Sequence, residues 1–173
     1  MKRLILYLLL LCFLPLACIS QSAQWNFSYQ PSLNSSTNEF EIVIDITIPE
    51  DFHMYSFDQV PSGPIAASVD FVTPKGIEKI GGLQYKTQEP KEFYDDIFKI
   101  NIRQLTGHTR WAQKFRITKP NVSGFITGKY SYQLCKEDGY CLNPLPEQFS
   151  VAIEKANAGK KTATTPKENT TIS

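Results

Sequence analysis

At alternate positions from residue 40 to 48 the chain carries Phe40, Ile42, Ile44, Ile46 and Ile48, with Glu41, Val43, Asp45 and Thr47 between them. This period of two is that of a strand with one face in a core and the other in water. The habit recurs at Ile97–Arg103, Ala112–Thr118, Ser123–Leu134 and Glu147–Glu154, and the segments "QWNFSYQ" (24–30) and "IAASVDFV" (65–72) are further candidates. Turn formers separate the runs: Pro49, "PSGP" at 61–64, "TPKG" at 73–76, "TGH" at 106–108 and "KPN" at 119–121. No window combines a helical period with caps. Short strands at this spacing predict an all-β chain, an immunoglobulin-like antiparallel β-sandwich. On this pattern Trp25 and Trp111 are core or edge-packing aromatics, and His53 in "DFHMYSF" is a strand-edge residue.

Two segments fall outside the pattern. Residues 1–22 read as a signal peptide: Lys2 and Arg3, then an apolar run from Leu4 to Leu16, then the small polar residues Ser20 to Ala23. That run is shorter than the roughly 20 residues a membrane-spanning helix needs. "LPLAC" also resembles a lipoprotein signal, which would place a lipid anchor on Cys18. Residues 155–173 are rich in Lys, Thr and Ala and are expected to form a disordered polar tail. The domain between, residues 23–154, is long enough to bury a core without a staple.

Removing Lys2 and Arg3 from the 18 basic residues leaves one fewer than the 17 acidic ones. With no basic patch interleaved with aromatics, nucleic acid is not an expected partner. His53 and His108 are the only histidines, and no His/Cys/carboxylate cluster has metal-ligand spacing. No metal or other cofactor is expected.

The remaining chemistry lies in "YQLCKEDGYCLNP", Tyr132–Pro144. Of four cysteines, Cys12 and Cys18 lie in the leader, so Cys135 and Cys141 are the one pair left to the mature chain. Asp138-Gly139 makes a chain reversal between them inexpensive, because glycine accepts positive φ and aspartate tolerates the left-handed region. Closing so short a loop would stabilise the fold by about 2.4 kcal/mol in the chain-entropy model, near the low end for disulfides. Spacing alone leaves a structural staple and a redox-active pair equally open. A second candidate segment, Gln84–Asp96, reads as a loop with charges around Phe93 and Tyr94. The plain expectation there is one core anchor and one surface ring; a functional loop is the sharper alternative.

Three segments taken together, "DFHMYSFDQVPSGPIAASVDF", "PKEFYDDIFKINI" and "YSYQLCKEDGYCLNP", resemble the N-terminal domain of the bacterial thiol:disulfide interchange protein DsbD, also called a disulfide-bond corrector domain. The resemblance covers roughly Trp25 to Ile153. It implies a periplasmic sandwich whose redox-active pair takes electrons from a transmembrane reductase and passes them to exported thioredoxin-fold proteins, without a bound cofactor. Cys135 and Cys141 match the pair; Cys141 would form the mixed disulfide and Cys135 would resolve it. Phe93 and Tyr94, with Glu92, match a cap loop whose aromatic shields the pair. His53 and Tyr55 match a strand position where the family has tyrosines, and His53 is a departure. Because DsbD continues into membrane and thioredoxin-like domains that are not seen here, the reductase is expected to be a separate, DsbD-like protein. The rival expectation is a non-catalytic immunoglobulin-like interaction module held by a structural disulfide.

Overall fold

A computed structural model describes residues 22–32, 38–144 and 146–153. The leader with Cys12 and Cys18, and the tail 155–173, lie outside the described residues. Eleven strands and no helix make up the described chain. They are β1 (Gln24–Pro31), β2 (Glu39–Thr47), β3 (His53–Tyr55), β4 (Ser68–Val72), β5 (Ile77–Tyr85), β6 (Lys91–Asp95), β7 (Ile100–Leu105), β8 (His108–Ile117), β9 (Gly124–Ser131), β10 (Leu134–Cys135) and β11 (Glu147–Ile153). All ladders are antiparallel, in sheets ordered β1-β2-β8-β5, β10-β3-β7-β6 and β11-β9-β4.

The alternation in β2 does what its period requires. Phe40, Ile42, Ile44, Ile46 and the following Ile48 are all buried, and Trp111 and Phe115 of β8 join them from the same sheet. Against this layer pack Met54, Leu105 and Leu134 from the second sheet and Ile126, Tyr130, Phe149, Val151 and Ile153 from the third. The result is the expected immunoglobulin-like sandwich, with one sheet facing the other two across a single core. Trp25 is half-buried, stacked on Tyr130 at 4.7 Å and Tyr132 at 5.3 Å and edge-on to Trp111 at 5.4 Å. Such offset and edge contacts suit the quadrupoles of aromatic rings. Gly128 is required where three strands meet: a Cβ there would overlap the Asp70 carbonyl and press on the Phe149 ring.

The structure departs from the sequence expectations most in β5 and β6, and the run expected over Ser123–Leu134 divides into β9 and β10, which join different sheets. β5 carries a bulge between Ile80 and Gln84, where Gly81 takes φ 62° and Gly82 follows, so its alternation slips and hides the strand. Lys91–Asp95 is a strand rather than a loop, because its backbone pairs along the open edge of β7 from Lys91↔Gln104 to Asp95↔Ile100. The run expected from Ile97 begins only at Ile100. A tight turn precedes it, in which the N–H groups of Ile97 and Phe98 donate to Asp95 Oδ1 at 2.8 and 2.9 Å and Lys99 takes φ 57°.

Candidate functional site

The cysteines stand at the open end of the β10-β3-β7-β6 sheet. The Lys136 N–H donates to the Tyr140 carbonyl at 2.8 Å and the Leu142 N–H to the Leu134 carbonyl at 2.8 Å. Between these two bonds Cys135 and Cys141 form a directly opposed antiparallel pair with Cα atoms 4.0 Å apart. Opposed residues that exchange no backbone bonds are the closer kind in such a ladder, and the two sulfurs are bonded as a disulfide. The reversal uses the Asp-Gly step: the Gly139 N–H donates to the Lys136 carbonyl at 3.0 Å, Gly139 takes φ 85°, and Asp138 Oδ1 accepts from the Tyr140 N–H at 3.0 Å. A three-residue turn closed by a left-handed glycine is the usual solution for this loop length.

The two cysteines have unequal surroundings. Cys135 is 1% exposed and packs with Tyr55 and Ile102, while Cys141 is partly exposed beside them. Both border an open hollow of about 700 Å³, whose other walls include His53, Tyr55, Phe93, Ile102 and the segment Gly63–Ile65. Strand register explains the grouping. Cys135 lies opposite His53, Phe93 lies opposite Ile102, and residues two apart share a face, so His53, Tyr55, Cys135, Ile102 and Phe93 all belong to one side of the sheet. Their neighbours Met54, Leu105 and Leu134 belong to the other side, in the main core.

Each residue singled out from the sequence can now be placed. Cys135, Cys141, His53, Tyr55, Phe93 and Tyr94 border the hollow together. Phe93 and Tyr94 are 48% and 61% exposed, so neither is a core anchor. Glu92 does not join them: it pairs across to Arg103 on the reverse face, where its Oε1 accepts from Asn101 Nδ2 at 2.7 Å. His53 is not an edge residue either. It begins the strand between β10 and β7, is 4% exposed, and has neither ring nitrogen hydrogen-bonded to the described residues. Its ring meets that of Tyr55 edge-on at 5.3 Å, and its Nδ1 lies 3.7 Å from the carboxylate of exposed Glu137, on the turn between the cysteines.

The electrostatics follow from this partial enclosure. Burial lowers the pKa of His53, with Glu137 opposing it. Burial raises that of Tyr55, and the carboxylates of Asp95 and Glu137 add to the rise, as expected when neighbouring anions disfavour a phenolate. Ile102 and the Gly63–Ile65 wall were not indicated by the sequence. "PSGP" marks a turn but not what the turn faces, and Ile102 looks like any inward strand residue. Among the described residues no group of three His, Cys, Asp or Glu side chains is placed to hold a metal ion.

An antiparallel sandwich presenting one cysteine pair at an open hollow, with Cys135 buried and Cys141 partly exposed, has the arrangement that a thiol–disulfide interchange domain requires. The family model for the N-terminal domain of thiol:disulfide interchange protein DsbD matches residues 21–153, and the chain belongs to that family. Among solved structures, the chain is similar to the complex between the DsbD N-terminal and PilB N-terminal domains from Neisseria meningitidis, at 14% identity and TM-score 0.50, covering 79% of this chain and 87% of that one. At such identity the likeness speaks to the fold. Neighbours with lower scores are the reduced DsbD N-terminal domain from Neisseria meningitidis (15% identity, 64% and 75% of the two chains, TM-score 0.46) and the N-terminal periplasmic domain of ScsB from Proteus mirabilis (11%, 78% and 46%, TM-score 0.46). No curated protein sequence matches the chain.

Proposed function

We propose that this protein is a periplasmic thiol:disulfide carrier, passing reducing equivalents from a separate transmembrane reductase to exported thioredoxin-fold proteins through Cys135 and Cys141. The observation that carries the reading is the unequal burial of the pair beside an open hollow. Exchange requires a thiolate and a disulfide sulfur to meet in line, so one cysteine must be reachable while its partner stays near enough to finish the reaction. Cys141 is the reachable one. In the reduced protein its thiolate attacks the partner's disulfide, forming the mixed disulfide and releasing one partner thiolate. Cys135 then attacks Cys141 Sγ, the intramolecular bond forms, and the second partner thiolate leaves. The partner gains two electrons and the carrier is oxidised. In the related Neisseria complex the DsbD N-terminal domain stands with a PilB domain, which supports a protein partner here.

Phe93 serves as the cap over the reduced pair, while Tyr94, on the opposite face of the strand by register, flanks the hollow at its rim. A dithiol in an oxidising compartment needs shielding from unsuitable oxidants, and a half-exposed ring on an edge strand provides a cover that a partner can displace. Exposed Ile65, Ile97, Phe98 and Tyr140 extend the apolar surface around the site, which is where a docking partner would gain most from burial.

The test is the reduction potential of the pair, read by equilibration in thiol/disulfide buffers and counting of alkylated thiols. A value of roughly −180 to −270 mV is expected; one below about −300 mV belongs to a structural staple and would return the domain to the class of interaction modules. Trapping adds direction. Cys135→Ser should accumulate a mixed disulfide with a thioredoxin-fold partner, and Cys141→Ser should form none.

A further inference from the structure

Among the groups lining the hollow, one buried polar side chain has no structural task. His53 is 4% exposed, yet neither nitrogen of its ring is hydrogen-bonded to the described residues. A buried imidazole without partners costs stability, and a tyrosine or phenylalanine would fill the same volume. What His53 has instead is a position: it is the directly opposed cross-strand neighbour of Cys135 on the face that carries the disulfide. Opposed residues of an antiparallel ladder have Cβ atoms about 4.5–5.5 Å apart, within reach of each other's side chains.

We propose, building on the carrier reading above, that His53 is the proton partner of Cys135 in the resolving step. In the mixed disulfide Cys135 is a buried thiol, and a thiol in apolar surroundings resists ionisation. His53 accepts the Cys135 proton, giving a thiolate–imidazolium pair, as adjacent bases activate cysteine elsewhere. The thiolate attacks Cys141 Sγ, the bond from Cys141 to the partner breaks, and the departing partner thiolate takes the proton back from His53. Electrons and protons balance, and the imidazole ends neutral.

The other ionisable groups at the hollow fit this cycle. Glu137 stands 3.7 Å from His53 Nδ1 and favours the imidazolium while it exists. Its exposure lets water screen it when His53 is neutral. Asp95, from β6, and Tyr55, from β3, line the same space. Asp95 disfavours a thiolate, and Tyr55 stays protonated at neutral pH because burial and the two carboxylates raise its pKa. Lys136 also lines the hollow, but its ammonium sits over the Phe52 ring at 5.2 Å. With the disulfide closed, burial holds His53 below its ordinary value; once Cys135 is a thiol, the two groups titrate as a coupled pair, and a thiolate beside the ring strengthens its hold on the proton.

The experiment places Cys141→Ser in the full chain and follows iodoacetamide modification at Cys135 by mass spectrometry across pH. Adding His53→Phe should raise the midpoint by about one pH unit and lower the rate near pH 7 about tenfold, with the high-pH plateau unchanged. An unchanged midpoint overturns the proposal. Should His53→Phe fail to fold, NMR titration of His53 in the unaltered chain decides the matter. The His53 midpoint should differ between disulfide and dithiol forms, because coupled groups titrate together; equal midpoints overturn the proposal. Mixed-disulfide accumulation by the Cys135→Ser chain keeps the two readings apart. If the mixed disulfide forms while the Cys135 midpoint is unmoved, only the role of His53 falls; if it does not form, the carrier reading falls and this one with it.

Discussion

The β1-β2-β8-β5 sheet and the β10-β3-β7-β6 sheet contribute inward faces of the same kind to one core, but their outward faces are finished differently. On the first, charges opposed across strands neutralise one another: Arg116 with Glu39 at 2.6 Å and Arg110 with Asp45 at 2.7 Å. Lys86, just after β5, closes on Glu41 at 2.8 Å. Exposed pairs of this sort add little to stability, with a median of about 0–1 kcal/mol, but they leave the face complete and hydrated. On the second sheet the outward face holds a disulfide among apolar and a few polar side chains, and it is rimmed by rings that the described residues leave largely uncovered. A folded domain gains nothing from leaving Phe93, Tyr94, Ile97 and Tyr140 in water. Their exposure is therefore informative about partners in a way that the charged sheet is not.

That contrast can be broken most strongly from the inside. Trp111→Ala, in the layer the charged sheet contributes to the core, should cost about 3–5 kcal/mol in urea unfolding while leaving the reduction potential of the pair unchanged in the folded protein. A large shift in potential would mean that core and site are not separable. Phe93→Ala should do the reverse. Stability should change by about 0.5 kcal/mol or less, as for exposed positions generally, while alkylation of the reduced pair by small reagents speeds several-fold. An equal alkylation rate would remove Phe93 from the role of cap.

The smallest effect is a slope with pH. His53 has a folded pKa below its ordinary 6.5, so its contribution to stability is present above pH 6.5 and is lost as pH falls through the folded value, where the unfolded chain binds the proton more readily. Thermal unfolding of the disulfide form should show this loss setting in as pH falls below about 6.5, and His53→Phe should flatten it. A persisting slope in that variant would assign it to other groups.

Much of this was legible in the chain itself, for identifiable reasons. The alternation in β2 appears in sequence because one side of the strand meets only core and the other mostly charge. The turn between the cysteines was legible because Asp138-Gly139 encodes its geometry locally. β5 was not, since Gly81 and Gly82 let the strand bulge and change face midway. β6 was not, since most of its side chains stay in water and no apolar period is needed; its strand character comes from the open edge of β7, a tertiary fact. The placing of His53 opposite Cys135 depends on a register between segments some 80 residues apart, and local pattern carries no trace of it.

The position of β6 has a mechanical consequence. It is the last strand of its sheet, held by β7 alone, and of its residues only Asp95 is even partly buried. Peeling it away gives up one ladder of backbone bonds and uncovers no part of the main core, so the proposed cap rides on a free edge of the second sheet. Such an opening resembles the melting of a hairpin, a microsecond-scale event, much faster than disulfide exchange between proteins. Asp95, whose carboxylate and carbonyl hold the turn to Lys99, would act as the latch at one end of that zipper, and exchange would meet a cap already at equilibrium between shut and ajar.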